Sequence, residues 1–160
     1  MDTMRVNTEQ EAIFIACEME TTAVQLYERA LQVLQGQNRQ EEPLYQQLAF
    51  MLEDEREHLR RFRALYAGLD APIEQQLTLS AVAEGVLFEG GLMGAARQGL
   101  LANVNGMLHF AMEAERTSAR KYREFATLAA SDSARAALSL IAAEEDKHLD
   151  ELEEQAEAFH

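Results

Sequence analysis

The chain has 160 residues, with 28 Asp+Glu against 14 Lys+Arg for a formal charge of −14, 48% hydrophobic residues, 2 Pro, 1 Cys and no Trp. That length suits one domain burying roughly 70% of its unfolded surface, and the apolar share is too high for a disordered acidic tail. The charge argues against nucleic acid or an anionic membrane as partner, and the single cysteine, Cys17, excludes a disulfide framework or a four-cysteine metal site within one chain.

Few prolines and aromatics, with abundant Ala, Glu, Gln, Leu and Arg, favour helix over sheet, so an all-α fold is expected. Thr8 followed by Glu11 reads as a capping box. Behind it Ile13, Ala16, Val24, Tyr27, Leu31 and Leu34 share one helical face. The Gly36-Gln37-Asn38-Arg39 stretch and Pro43 end this helix and begin a second. Its apolar face runs Leu44, Leu48, Met51, Phe62 and Leu65 and closes near Gly68 and Pro72. Residues 73–102 are different: six of the eight glycines fall in or just after them, and the stretch is too long for a tight helix–helix turn. A short helix over Leu79–Phe88 is expected there, and the apolar Gly90–Ala96 run is expected to cover the bundle or a partner subunit.

A third apolar face carries Leu108, Ala111, Tyr122, Phe125 and Ala129. Ser131-Asp132-Ser133 then breaks the chain with N-cap residues, and a fourth face carries Leu138, Ile141, Leu152 and Phe159. Four amphipathic helices of about 25 residues each, in two hairpins, predict a four-helix bundle with a long crossover between the second and third. Residues 1–160 are read as this single domain. The N-terminal MDTMRVNTEQEAIF lacks a signal-peptide pattern, and no run reaches the roughly 18 apolar residues of a membrane span. A soluble, cytoplasmic protein is the expectation.

Each apolar face has a gap, and an ionisable residue fills every gap. Glu20 completes the first series and Glu115 the third. The second steps from Met51 through Glu55 and His58 to Phe62, and the fourth from Ile141 through Glu145 and His148 to Leu152. An ionised carboxylate inside a bundle costs several kcal/mol unless it is paired, and Lys and Arg are nearly absent from these faces. Two divalent cations balance the four carboxylates, and neutral imidazoles fill further coordination positions. Glu and His at i, i+3 turn toward the same point. A hydrogen-bonded polar network without metal is the alternative, but six such groups in one layer are hard to neutralise that way.

The chain also repeats itself. Ala16-Cys17-Glu18-Met19-Glu20, with Tyr27 seven residues on, echoes Ala111-Met112-Glu113-Ala114-Glu115, with Tyr122 seven residues on. Glu55-Arg56-Glu57-His58-Leu59 likewise echoes Glu145-Asp146-Lys147-His148-Leu149. The hairpins read as two copies related by an approximate two-fold axis, each supplying half of one dinuclear site. Glu18, Glu57, Glu113 and Glu144 fall off the apolar faces and are expected to be solvated. His109 is expected at the surface, and Cys17 as a small buried hydrophobe.

This pattern resembles the ferritin-like di-iron carboxylate superfamily, and within it most closely the rubrerythrin family. The Glu20…Tyr27 spacing, the Asp54-Glu55-Arg56-Glu57-His58 string and the Glu115…Tyr122-Arg123-Glu124-Phe125-Ala126 string carry the resemblance, which covers the four helices but not residues 73–102. It implies a ferritin-like bundle in which Glu20, Glu55, His58, Glu115, Glu145 and His148 bind two iron ions, with manganese or zinc as other occupants. Glu20 and Glu115 would be terminal, Glu55 and Glu145 bridging, and Tyr27 and Tyr122 hydrogen-bonded to ligating carboxylates. It further implies an oxidoreductase acting on peroxide or dioxygen, as a homodimer. Two departures stand out: the rubredoxin module of full-length rubrerythrins needs four cysteines, so an external rubredoxin or reductase is the expected electron donor; and Ser118 stands where many relatives carry an extra ligand Glu. The competing readings are an iron-storage or iron-delivery protein with ferroxidase chemistry, and a metal-dependent structural bundle.

Overall fold

The computed structural model describes residues 6–159; His160, which as a terminal residue is expected to fray, lies outside the described residues. The described chain is all helical: α1 (Glu9–Gly36), α2 (Pro43–Leu65), α3 (Ala71–Ala83), α4 (Gly91–Arg97), α5 (Val104–Ala126) and α6 (Asp132–Ala158). No described helix is long and apolar enough to cross a membrane.

The helix ends follow from side chains that satisfy free backbone groups. Thr8 accepts from the Glu11 amide at 3.2 Å while the Glu11 carboxylate accepts from the Thr8 amide at 3.1 Å, the reciprocal box that starts α1. Pro43 lies in the first turn of α2, where its missing N–H costs nothing. Asn103 and Ser131 cap α5 and α6 by accepting from the amides of Gly106 and Ala134.

The four long helices close into a ring, α1 beside α2, α2 beside α6, α6 beside α5 and α5 beside α1. Polar clips fix their directions. The Gln10 amide donates to Leu65 O and accepts from Ala67 N, placing the start of α1 against the end of α2. The Glu9 carboxylate accepts from Ser131 N at 2.8 Å, bringing the start of α6 to the same end. Gln47 donates to Glu151, pairing the start of α2 with the last turns of α6. Each helix therefore runs antiparallel to both its neighbours in the ring, and α2 finishes at the end where α5 also finishes. Residues 66–103 must travel back along the helices before α5 can begin, which is why the connection is long.

Within that connection the expected Leu79–Phe88 helix is displaced. Helix α3 starts at Ala71, with Pro72 in its first turn and Asp70 as its N-cap, and Gly85 at φ +77° follows its end. Pro72 opens this helix rather than closing α2, which ends at Leu65. Apolar residues lie all round α3, so Leu77 and Ala81 are buried while Ile73 and Leu79 are exposed, and no periodic face marks its limits. The short α4 folds back so tightly that a Cβ on Gly94 would stand 1.8 Å from the Glu89 carbonyl oxygen. Gly94→Ala is expected to spring residues 85–100 loose. Limited proteolysis should then cut the connector faster while the melting temperature of the long helices stays nearly unchanged.

Two apolar clusters fill the bundle, one around Ile13, Phe62, Phe125, Leu138 and Ile141, the other around Leu34, Leu48, Met51, Leu108 and Leu152. A polar layer separates them. Tyr122 belongs to the first cluster and Tyr27 to the second, so a phenol closes the layer on each side.

Candidate metal centre

All six ionisable residues expected inside the bundle meet in this layer. Glu20, Glu55, His58, Glu115, Glu145 and His148 are each at most 2% exposed. Helices α1 and α5 supply one carboxylate each, and α2 and α6 supply a Glu and a His one turn apart, which the helical repeat turns to the same side.

Their donor atoms form two overlapping clusters. Glu20, Glu55, His58 and Glu145 can each offer one atom within 4.8 Å of the others, as can Glu55, Glu115, Glu145 and His148. Glu55 and Glu145 belong to both, and each imidazole to one. His58 Nδ1 lies 3.0 Å from Glu145 Oε1 and 3.7 Å from Glu20 Oε1; His148 Nδ1 lies 2.9 Å from Glu55 Oε1 and 3.5 Å from Glu115 Oε1. The imidazole rings are 6.0 Å apart and near parallel.

The decisive feature is what these atoms lack. Both oxygens of Glu55, one oxygen each of Glu20, Glu115 and Glu145, and Nδ1 of both histidines are buried without a hydrogen-bond partner. A buried polar atom left unmade costs about 1–3 kcal/mol, and native interiors contain few. Seven in one layer, carboxylate oxygens and imidazole nitrogens crowded together, match what a pair of divalent cations requires. A self-satisfied polar network would leave none. The residues present therefore fit a dinuclear metal site.

Around them stands a set of hydrogen bonds repeated by the pseudo-two-fold. Tyr27 donates to Glu115 Oε1 at 2.5 Å and Tyr122 to Glu20 Oε1 at 2.9 Å, so each phenol serves the carboxylate of the facing helix. His58 Nε2 meets Glu144 Oε2 at 2.5 Å, and His148 Nε2 meets Asp54 Oδ2 at 2.9 Å. With Nε2 carrying the proton that bonds to the carboxylate, Nδ1 becomes an inward lone pair once metal displaces its own proton. Glu144 is thus not a purely solvated residue as expected, because α6 holds it against the α2 histidine. Asp54 was missed too. The available signal was the acidic residue just before each Glu-x-x-His, Asp54-Glu55 and Glu144-Glu145.

Burial, then the Glu55 charge, pushes the Glu20 carboxyl well up; burial, then Glu115, does the same to Glu145. Burial alone would lower the imidazoles, but the surrounding carboxylates prevail: Glu20 and Glu55 hold His58 up at about 11, and Glu115 and Glu55 hold His148 at about 12. Without metal the layer therefore retains protons, and metal binding must expel them. Both imidazoles lie above the ordinary 6.5 of an unfolded histidine. Their stabilisation is full below that value and lost as pH rises toward 11–12. The chelator-treated chain should melt at a lower temperature at pH 8.5 than at pH 6.5. With a divalent metal present, the melting temperature should rise over the same interval.

The remaining expectations are quickly placed. His109, Glu57 and Glu113 are exposed and Glu18 is half-buried. Burial pushes the half-buried Cys17 thiol up to about 11, consistent with an unreactive packing residue. Ser118 is buried one turn beyond Glu115. No protein-family model, curated protein or solved structure matches the chain, so the centre is read from its own chemistry.

Proposed function

We propose that this chain is a rubrerythrin-like non-haem di-iron oxidoreductase with a ferritin-like bundle, reducing peroxide or dioxygen with electrons from an external donor. The observation that carries the reading is the set of seven partnerless donor atoms on six buried residues, arranged as two overlapping halves. Mixed carboxylate oxygen and imidazole nitrogen suits iron or manganese and admits zinc. These six residues would hold two ferrous ions, which when bound would supply one electron each to the two-electron reduction of peroxide.

The chain's own groups set the conditions for that chemistry. Glu55 and Glu145, common to both clusters, hold the two positions together, while Glu20 with His58 and Glu115 with His148 define the separate ends. Tyr27 and Tyr122 keep their protons, because burial and then the adjacent carboxylate charge raise both phenols well above the ordinary value. Each therefore orients one oxygen of its carboxylate and leaves the other free for metal. The apolar clusters on either side exclude water and so strengthen every charge interaction in the layer.

A rubredoxin-type protein or a reductase is the proposed donor, since the chain's single cysteine provides no four-thiolate site. Stopped-flow mixing of the anaerobically iron-loaded chain with peroxide and with dioxygen tests the reading. Faster oxidation by peroxide, in a dimer by size-exclusion mass, is the expected result. Preference for dioxygen in a large shell would favour iron storage, for which the acidic surface would attract Fe²⁺. No oxidation by either would leave a structural metal bundle.

A further inference from the structure

A cavity of about 590 Å³ opens beside the metal centre, between α1 and α5 and under the connector. Its size falls within the roughly 300–1,000 Å³ of small-molecule sites. Met19 and Ala23 of its wall flank Glu20, and Ala114 and Ser118 flank Glu115. These positions, one before and three after each carboxylate, share a side of their helices. The small side chains Ala23, Ala114 and Ser118 make the room, and Ser118 is the one buried polar side chain in the wall.

The roof is the strap carrying Val86, Leu87 and Phe88 on one side and Leu100 on the other. Close backbone approach holds it down, since a Cβ on Gly106 of α5 would stand 2.8 Å from the Leu100 carbonyl oxygen. Charge narrows the occupant. No lysine or arginine lines the cavity and its one basic side chain, His109, is exposed, so a carboxylate or phosphate head would find no buried cation, and the chain's −14 opposes anions generally. Glu113, the only carboxylate of the lining, is engaged by Arg116 at the exposed rim, which leaves no free partner for a cationic head.

We propose that this cavity binds an uncharged, mainly hydrocarbon small molecule, its body against Met19, Leu26 and the strap and one hydrogen-bonding group toward Ser118. The site stands on its lining and does not depend on metal.

Fluorescence titration of the full chain with N-phenyl-1-naphthylamine, metal-free and zinc-loaded, tests it. Saturable binding at one site in both states is expected, displaced by 1-decanol and not by decanoate. Ser118→Phe and Ala114→Phe should each weaken the probe by at least about tenfold. Leu140→Ala, at an exposed leucine of α6 outside the lining, should leave it unchanged. Should the filled variants fail to fold, a diazirine-bearing hydrocarbon photolabel on the unaltered chain should mark residues 85–88 and 109–118. Absent saturable binding, equal competition by decanoate, or labelling centred elsewhere would overturn the proposal. Loss of metal binding would refute the metal centre and leave this result untouched.

Discussion

Replacing Glu55 by alanine is expected to empty the metal centre as a whole, whereas replacing either histidine should impair only one half of it. Glu55 belongs to both donor clusters, and its two oxygens are both without a hydrogen-bond partner. Glu145 shares the double membership. Elemental analysis after anaerobic iron loading should therefore show a fall from about two ions per chain to nearly none in Glu55→Ala and Glu145→Ala. His58→Ala and His148→Ala should retain roughly one, each losing the position its own imidazole serves. Circular dichroism on the same samples establishes that the bundle persists. Undiminished iron in Glu55→Ala would mean that these six residues are not the ligands.

The second large effect has opposite signs with and without metal. Glu20 is fully buried, its carboxyl raised first by burial and then by Glu55, so in the metal-free chain it is a liability. Glu20→Gln keeps the shape and the oxygen that accepts from Tyr122, and removes the charge. Relief of that strain, offset in part by the lost His58 interaction, should stabilise the metal-free protein by up to about 1–2 kcal/mol, at roughly 2–4 °C in melting temperature per kcal/mol for a chain of this length. The metal-loaded protein should move the other way. Saturating metal at a hundred times its Kd contributes about 2.7 kcal/mol to the native state, and a neutral amide in place of a ligating carboxylate erodes that gain. Differential scanning of both variants, chelated and loaded, should show the two curves crossing. A parallel shift in both conditions would assign Glu20 a packing role only.

The buried ionisable layer was legible because burial and charge conflict so sharply at six positions of otherwise apolar helical faces. The tyrosine pairing was only half legible. A seven-residue spacing places Tyr27 about 10 Å along the axis from Glu20, which favours the antiparallel neighbour, and the bond goes to Glu115. Asp54 and Glu144 left only a faint signal for a different reason: both are at least a third exposed, so local pattern reads them as surface, and only the approach of α2 to α6 gives each a histidine. Helix α3 escaped its limits because its apolar residues lie all round it while only Leu77 and Ala81 are buried. Its start depends on Asp70 and Pro72, residues equally suited to ending the helix before.

The central claim is that the buried layer is a dinuclear metal site, and counting metal tests it most directly. The purified 160-residue chain, loaded anaerobically with Fe²⁺ and desalted, should carry two ions per chain as the two clusters define, with proton release on loading. A chain that folds fully yet retains no metal under these conditions would contradict the account.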